Sequence, residues 1–316
     1  MPRVVQGSVE QGRPGGAPSI SVVVATRDRP VLLREALSAI LGQDYAGDLE
    51  CLVVHDRCEV DHTLEHDSPG RRVRVLSNVR SPGLPGARNS GAAVAAGEFL
   101  AFCDDDDVWM PGKLRTQVDA VQRAGADVAV TGIRVDYDGT FVDRVLGVRE
   151  LTLGDFARRR VMEAHPSTFL VRRSAFDLIG PVDEQIPGGY GEDFDWIVRA
   201  AARQPIVAVP EALVRVRWHK KSYFSQRWQM IADATDYLLA KHAFLAQSRP
   251  GLAEHHGRKA FALAALGDRP GARRAATRSL RLNPLERRAH LALLVSGGAV
   301  RADSVVRWLN ASGRGI

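Results

Sequence analysis

Four aspartates, Asp104, Asp105, Asp106 and Asp107, stand in a row directly after the apolar run at residues 99–103. Adjacent like charges raise one another's pKa unless a cation neutralises them. Carboxylate oxygens are hard ligands and suit Mg2+ or Mn2+. Magnesium commonly takes one or two carboxylates from a protein and completes its shell with a substrate's phosphates. The stretch therefore reads as half of a divalent-metal site, with a diphosphate as the other half. Further groups that could do chemistry are Thr26-Arg27-Asp28, Asp56 and Glu192-Asp193. A single acid after a strand is ordinarily a turn or cap residue, and Glu192 and Asp193 could simply be first-turn acids that complement a helix dipole. The unbroken run of four is what ordinary turn chemistry does not explain.

These residues need elements to hold them. Residues 20–25 (ISVVVA) are a β-branched run without alternation, which suits a strand buried on both faces. Further strands are expected at 50–54, 73–76, 98–103, 128–131, 167–171, 206–209 and 212–216. Helices are expected at 31–41, 87–96, 111–124, 173–179, 192–203 and 224–245, with 83–86 as a loop. Strands alternating with helices imply an α/β fold with a largely parallel sheet flanked by helices. In such a sheet ligands sit at the carboxyl ends of the strands, where Thr26-Arg27-Asp28, Asp56 and the four aspartates fall. Residues 252–296 are helical in a different style, with helices at 252–266, at 272–282 and from 286. A unit of ~34 residues closed by Asn-Pro resembles a tetratricopeptide hairpin, and about three such units are needed for independent stability. Only one is present, so it is expected to pack on the main domain or on a second subunit.

Of 316 residues, 45% are hydrophobic and 25% charged, enough for a sizeable core. No apolar run approaches the ~20 residues of a membrane-spanning helix. Residues 1–19 are rich in Gly and Pro, lack a signal-peptide core and are expected to be disordered. Cys51, Cys58 and Cys103 fit no disulfide or zinc spacing, which points to a reduced, cytoplasmic protein. The net charge is +6, and residues 251–316 hold 12 Lys or Arg against 4 Asp or Glu. That basic tail is either a solvated helical face or a contact for an anionic partner or membrane surface. The chain divides into an N-terminal segment (1–19), an α/β domain (20–246) and a helical extension (247–316).

The segment "DDDDVWMPGKLRTQ" resembles the metal-binding stretch of family 2 glycosyltransferases with the GT-A fold, whose usual form is Asp-x-Asp-Asp-x-Trp followed by Pro and Lys-Leu. Other segments match in order. "ISVVVATRDRP" resembles the nucleotide-binding opening, and "GLPGARNSGAAVAAGEFLAF" the approach to the metal motif. "HPSTFLVRRSAFDLIGPVDE", "GGYGEDFDWIVRAA" and "VRVRWHKKSYFS" resemble the acceptor loop, the Glu-Asp helix and the end of the family domain. The resemblance implies a nucleotide-sugar donor, inversion at the anomeric carbon, and Mn2+ or Mg2+ as cofactor. Asp104 and Asp106 match the outer positions of the metal motif, and Asp107 the following acid. The resemblance assigns Asp106, Asp107 and His219 to the metal. It assigns Thr26, Arg27, Asp28, Asp56, Arg88 and Asp104 to the nucleotide sugar, with Asp105 in a variable position beside them. Asp193 matches the base, next to Glu192. Asp56 matches an acid that accepts from a pyrimidine N3–H, which favours a uridine or thymidine donor. The chain departs from the family where His55-Asp56-Arg57-Cys58 replaces Asp-Asp-Gly-Ser, and where Pro85 enters the "GLPG" loop.

The expected chemistry is direct displacement. The cation stabilises the leaving diphosphate, and the carboxylate of Asp193 takes the proton of an acceptor hydroxyl. A sugar-nucleotidyltransferase remains an alternative, although "ATRDRP" lacks the glycine-rich phosphate loop of that chemistry. A non-catalytic nucleotide-sugar-binding or scaffold protein is another, and a dinucleotide oxidoreductase lacks its G-x-G-x-x-G. The acceptor is open between a saccharide, a natural product, a lipid-linked sugar and a peptide. No nucleic-acid partner is expected, and peripheral contact with an anionic membrane and a homodimer stay open. Trp109 and Trp196 read as packing residues, and His165, in an extended turn before Pro166, as a group that could approach the acceptor.

Overall fold

The computed structural model describes residues 16–137, 139–218 and 227–311. Strand β1 (Ile20–Thr26) is buried along its whole length. Its side chains feed two cores: Val22 and Val24 join Cys51 and Leu114 on one face, and Val23 joins Leu52, Leu100 and Phe102 on the other. Burial on both faces accounts for the continuous β-branched run. Helix α1 (Pro30–Leu41), with proline in its first turn, buries Leu33, Leu37 and Ile40 and leads to β2 (Leu49–His55), parallel to β1. Beyond β2 come β3 (His66–Ser68) and β4 (Arg71–Ser77). Helix α2 (Leu84–Val94) then crosses to β5 (Phe99–Asp104), parallel to β1 on its other side. The order β4-β2-β1-β5 reverses at β1, and the registers set Thr26 opposite His55 and Ala25 opposite Asp104. The carboxyl ends of three strands are thus level at the topological switch point, where open α/β sheets bind ligands.

Helix α2 starts at Leu84 instead of Ala87, because Pro85 sits in its first turn, where a missing N–H costs nothing. A Cβ at Gly91 would lie 2.5 Å from Val23 Cγ1, so this helix approaches the sheet more closely than any side chain would permit.

The second half of the sheet is mixed. It contains β6 (Val108–Trp109), β7 (Val128–Tyr137), β8 (Thr140–Arg144), β9 (Glu150–Leu151), β10 (Leu170–Arg172) and β11 (Ile206–Arg217). Its helices are α3 (Lys113–Ala124), α4 (Leu153–Arg158), α5 (Arg173–Ile179) and α6 (Glu192–Ala201). Strand β10 runs antiparallel between β5 and β7 and joins the halves. Buried Gln117 of α3 adds to the join, its Nε2 donating to Ala129 O (3.1 Å) and Thr168 O (2.7 Å). The strand expected at 167–171 is shortened because Pro166–Thr168 forms a 3-10 turn. The two strands expected within 206–216 are one, β11, with register shifts on both sides of Ala212, near Pro210, which has no N–H for a ladder. Trp196 packs between Phe169 and Phe176 (ring centres 5.7 Å from each), and Trp109 is buried beneath the Lys113 ammonium.

Helices α7 (Trp228–Lys241), α8 (Arg249–Leu266), α9 (Arg269–Leu282), α10 (Arg287–Ser296) and α11 (Ala302–Ala311) follow. Residues 224–226 of the expected long helix, and 1–15 of the N-terminal segment, lie outside the described residues. Pro18 O accepts from Tyr45 Oη at 2.5 Å. Helix α8 ends at Gly267 (φ +85°), and the N–H groups of Gly267 and Asp268 close back onto Ala264 O and Leu263 O. The last four helices share a small core of Ala260, Phe261, Ala276, Ala289 and Ala292. This extension packs on the α/β domain: the His255 ring lies 5.6 Å from that of Phe194 in α6, and Glu254 accepts from Arg160 N–H at 3.2 Å. No helix among the described residues is long and apolar enough to cross a membrane.

Candidate active site

A cleft of about 520 Å³ opens over the carboxyl ends of β1, β2 and β5. Thr26, Arg27, Asp56, Arg88, all four aspartates, Glu192 and Asp193 line it. Residues up to 281 positions apart in the chain, Ala25 and Val306, therefore meet here. The chain leaves β1 and β2 through Asp28 (φ 54°) and Arg57 (φ 56°), two left-handed turns that an L-residue adopts reluctantly. Asp28 turns outward, with its carboxylate 71% exposed and 3.6 Å from Arg27. His219 lies outside the described residues.

The aspartates point to different partners. Asp104 accepts from Arg88 Nη2 at 2.5 Å. Asp105 accepts from Thr26 Oγ1 at 2.8 Å and from Arg29 Nη1 at 3.1 Å. Asp106 accepts from the same Arg29 nitrogen at 2.7 Å. Asp107, 1% exposed, accepts from Ser167 Oγ at 2.6 Å and lies 3.4 Å from His165 Nδ1. Burial raises the pKa of Asp106 to about 6, and the charges of Asp104 and Asp105 add to it against Arg29. Asp107 is pushed well above the usual carboxylate range, first by burial and then by Asp104 and Asp106. Asp104 goes the other way: burial is outweighed by Arg88, His165 and Arg29, and its pKa falls. The arginines present thus leave the cluster with more negative charge than it holds comfortably.

One ligand atom each from Asp104, Asp107 and His165 lie within 4.8 Å of one another, a grouping that could hold a metal ion. This is a different set from the expected Asp106, Asp107 and His219. Burial lowers the pKa of His165 and favours the neutral, ligating imidazole.

Arg88 is 3% exposed and spans two elements, pairing with Asp104 at the end of β5 and with Glu192 at the start of α6. Its guanidinium is therefore committed within the protein floor. Burial raises Glu192 to about 7, with Asp193 and Asp104 adding to the rise against the pull of Arg88. Asp193, in the first turn of α6, is 18% exposed and 3.5 Å from Arg160 Nη2. Asp56 accepts from Asn78 Nδ2 (2.8 Å) and Gly83 N–H (3.1 Å), which fix its plane across the mouth of β2. Reading the sequence left Arg29, Ser167 and Arg160 unassigned. "TRDRP" displays Arg29 openly, but nothing local shows that it faces acids 76 positions later.

The family model for glycosyl transferase family 2 matches residues 21–180, half of the chain. The chain belongs to glycosyl transferase family 2. The succinoglycan biosynthesis protein ExoO of Rhizobium meliloti is 34% identical over 120 residues, 37% of this chain and 34% of that protein. The chain thus spans only about a third of that relative's length. The crystal structure of S. aureus TarS 1–349 superposes with a TM-score of 0.62 at 20% identity, over 93% of this chain and 92% of that one. The mannosyltransferase PcManGT of Pyrobaculum calidifontis, solved with GDP-Man and Mn2+, gives 0.54 at 18% identity, over 95% and 86%. TarS 1–349 has also been solved with UDP and with UDP-GlcNAc. The likeness to both structures establishes the GT-A type of fold for this family 2 chain.

Proposed function

We propose that this chain transfers a sugar from a uridine or thymidine diphosphate donor to an acceptor hydroxyl, with inversion by direct displacement. The observation that carries this reading is the meeting, in one cleft, of the acids after β5 with Asp193 at the start of α6. The binding of UDP-GlcNAc by TarS, a structural neighbour, supports a uridine donor. Asp56 keeps lone pairs beyond its bonds to Asn78 and Gly83 and would accept from the N3–H of the base. Thr26 and Arg29 hold Asp105 and Asp106 in place beside it.

The donor set fits a hard divalent cation, because burial and mutual repulsion hold Asp106 and Asp107 above the usual range and added positive charge would relieve both. Asp104, Asp107 and His165 would hold it. When bound, Mn2+ or Mg2+ supplies positive charge to the leaving diphosphate. Asp193, in the first turn of α6 and 3.5 Å from Arg160, acts as the base that takes the acceptor proton. Glu192 holds Arg88, which in turn orients Asp104. The domain division proposed is 20–246 for transfer and 247–316 for the extension. Three unpaired cysteines suit a reducing compartment, the cytoplasm.

The test is UDP or dTDP release from a panel of sugar nucleotides with Mn2+. Asp193→Asn is expected to lower turnover about 10²- to 10⁴-fold while still binding nucleotide. Unchanged turnover would remove Asp193 as the base, and failure of every nucleotide sugar to bind would remove the whole reading.

A further inference from the structure

The helical extension contributes Arg258 and Val306 to the lining of the cleft, and Arg258 is a cation that the transfer mechanism does not use. Arg258 of α8 lines the cleft although it is only 4% exposed. Its Nη2 donates to Glu254 at 3.0 Å, and its buried Nε–H has no hydrogen-bond partner. Glu254 also lies 3.8 Å from Arg288, which has Glu286 at 3.6 Å as a second partner. Arg160 lines the same wall, 3.5 Å from Asp193 and 5.7 Å from the centre of the Tyr190 ring. Burial lowers the pKa of Arg258, and the charges of Arg160 and Arg288 add to that against Tyr190 and Glu254. A buried guanidinium with an unpaired Nε–H and one close carboxylate keeps donor capacity that a ligand would complete. The planar fork of arginine matches the oxygens of phosphate and carboxylate. Trp228, Ile231 and Val306, also among the cleft's lining, are apolar.

We infer that Arg258 and Arg160 form a seat for an oxyanion, phosphate or carboxylate, carried by the acceptor next to the hydroxyl that Asp193 deprotonates; this rests on the transfer reaction proposed above. The extension then completes the acceptor side of the cleft and selects anionic acceptors over neutral ones.

The experiment uses the full chain saturated with Mg2+ and UDP, and titrates inorganic phosphate and, in parallel, acetate while following the melting temperature. A saturable rise is expected in the wild-type chain. Arg258→Gln and Arg160→Gln should each weaken it about tenfold, as loss of a charge-assisted hydrogen bond implies. A response to phosphate points to a phosphorylated acceptor, and one to acetate alone to a carboxylated acceptor. If neither anion binds, or if UDP displaces the phosphate, the seat is refuted, because the anion then belongs to the donor's diphosphate. Should Arg258→Gln not fold, Arg258→Lys keeps the charge but loses the fork, and it must still weaken the anion. A wild-type chain that held phosphate but never UDP would refute the transfer reading and leave the seat standing.

Discussion

Arg88 shows what a single residue does in this site. Its one guanidinium pairs with both Asp104 and Glu192, which belong to different elements, the first partly exposed and the second buried. Arg88→Met would leave the buried Glu192 carboxylate without its ion-pair partner and weaken the hold on Asp104, and breaking a buried pair in this way costs about 3–5 kcal/mol. Urea denaturation should show that loss, and protonating Glu192 at lower pH should recover part of it. The acids were legible in the sequence because they are adjacent, and adjacency is what a linear string displays. Their partners were not. Arg29, His165 and Ser167 reach the cluster only through the level ends of β1 and β5 and the turn after Pro166. Arg88 was legible as a residue of the site, but its two partners appear only once α2, β5 and α6 are packed.

At the scale of elements, β1, β2 and β5 could be read closely, since a strand buried on both faces is apolar almost throughout, while β4 showed itself by the alternation of Val73 and Val75 with arginines. The second half of the sheet was harder, because β6, β9 and β10 are two or three residues long and give no periodicity. Helix α11 was missed, and β7 proved longer than its apolar start because its outer part pairs with β8. Two elements carry predictions. Gln117→Leu in α3 would remove the donor to the carbonyls of Ala129 and Thr168 and the acceptor of the buried Lys113 ammonium, and is expected to destabilise the fold by about 1–3 kcal/mol in thermal denaturation. In α8, burial lowers His255 to about 3 and His256 to about 4. Between those values and the unfolded value of about 6.5 these histidines bind more protons in the unfolded chain, so the stability they contribute is complete above about pH 6.5 and declines below it. Asp106 and Glu192, raised to about 6 and about 7, act in the opposite direction, so the prediction is a difference: from pH 7 to 5 the denaturation midpoint of the wild-type chain should fall relative to that of His255→Gln.

The whole molecule extends the family's matched region, residues 21–180, with α6, β11 and a helical extension that all reach the cleft. Saturation with UDP and Mn2+ at a hundredfold over Kd should stabilise the folded chain by about 2.7 kcal/mol. Chelation by EDTA should erase most of that shift if the acids after β5 hold the cation. The two halves of the sheet meet at β10, which offers three residues to β5 and two to β7. So narrow a seam is the natural fault line of the protein. Amide deuterium uptake should begin at residues 170–172 well before it reaches β1. A nucleotide resting on one half and an acceptor on the other would each be felt by its neighbour as a change in how often that fault opens.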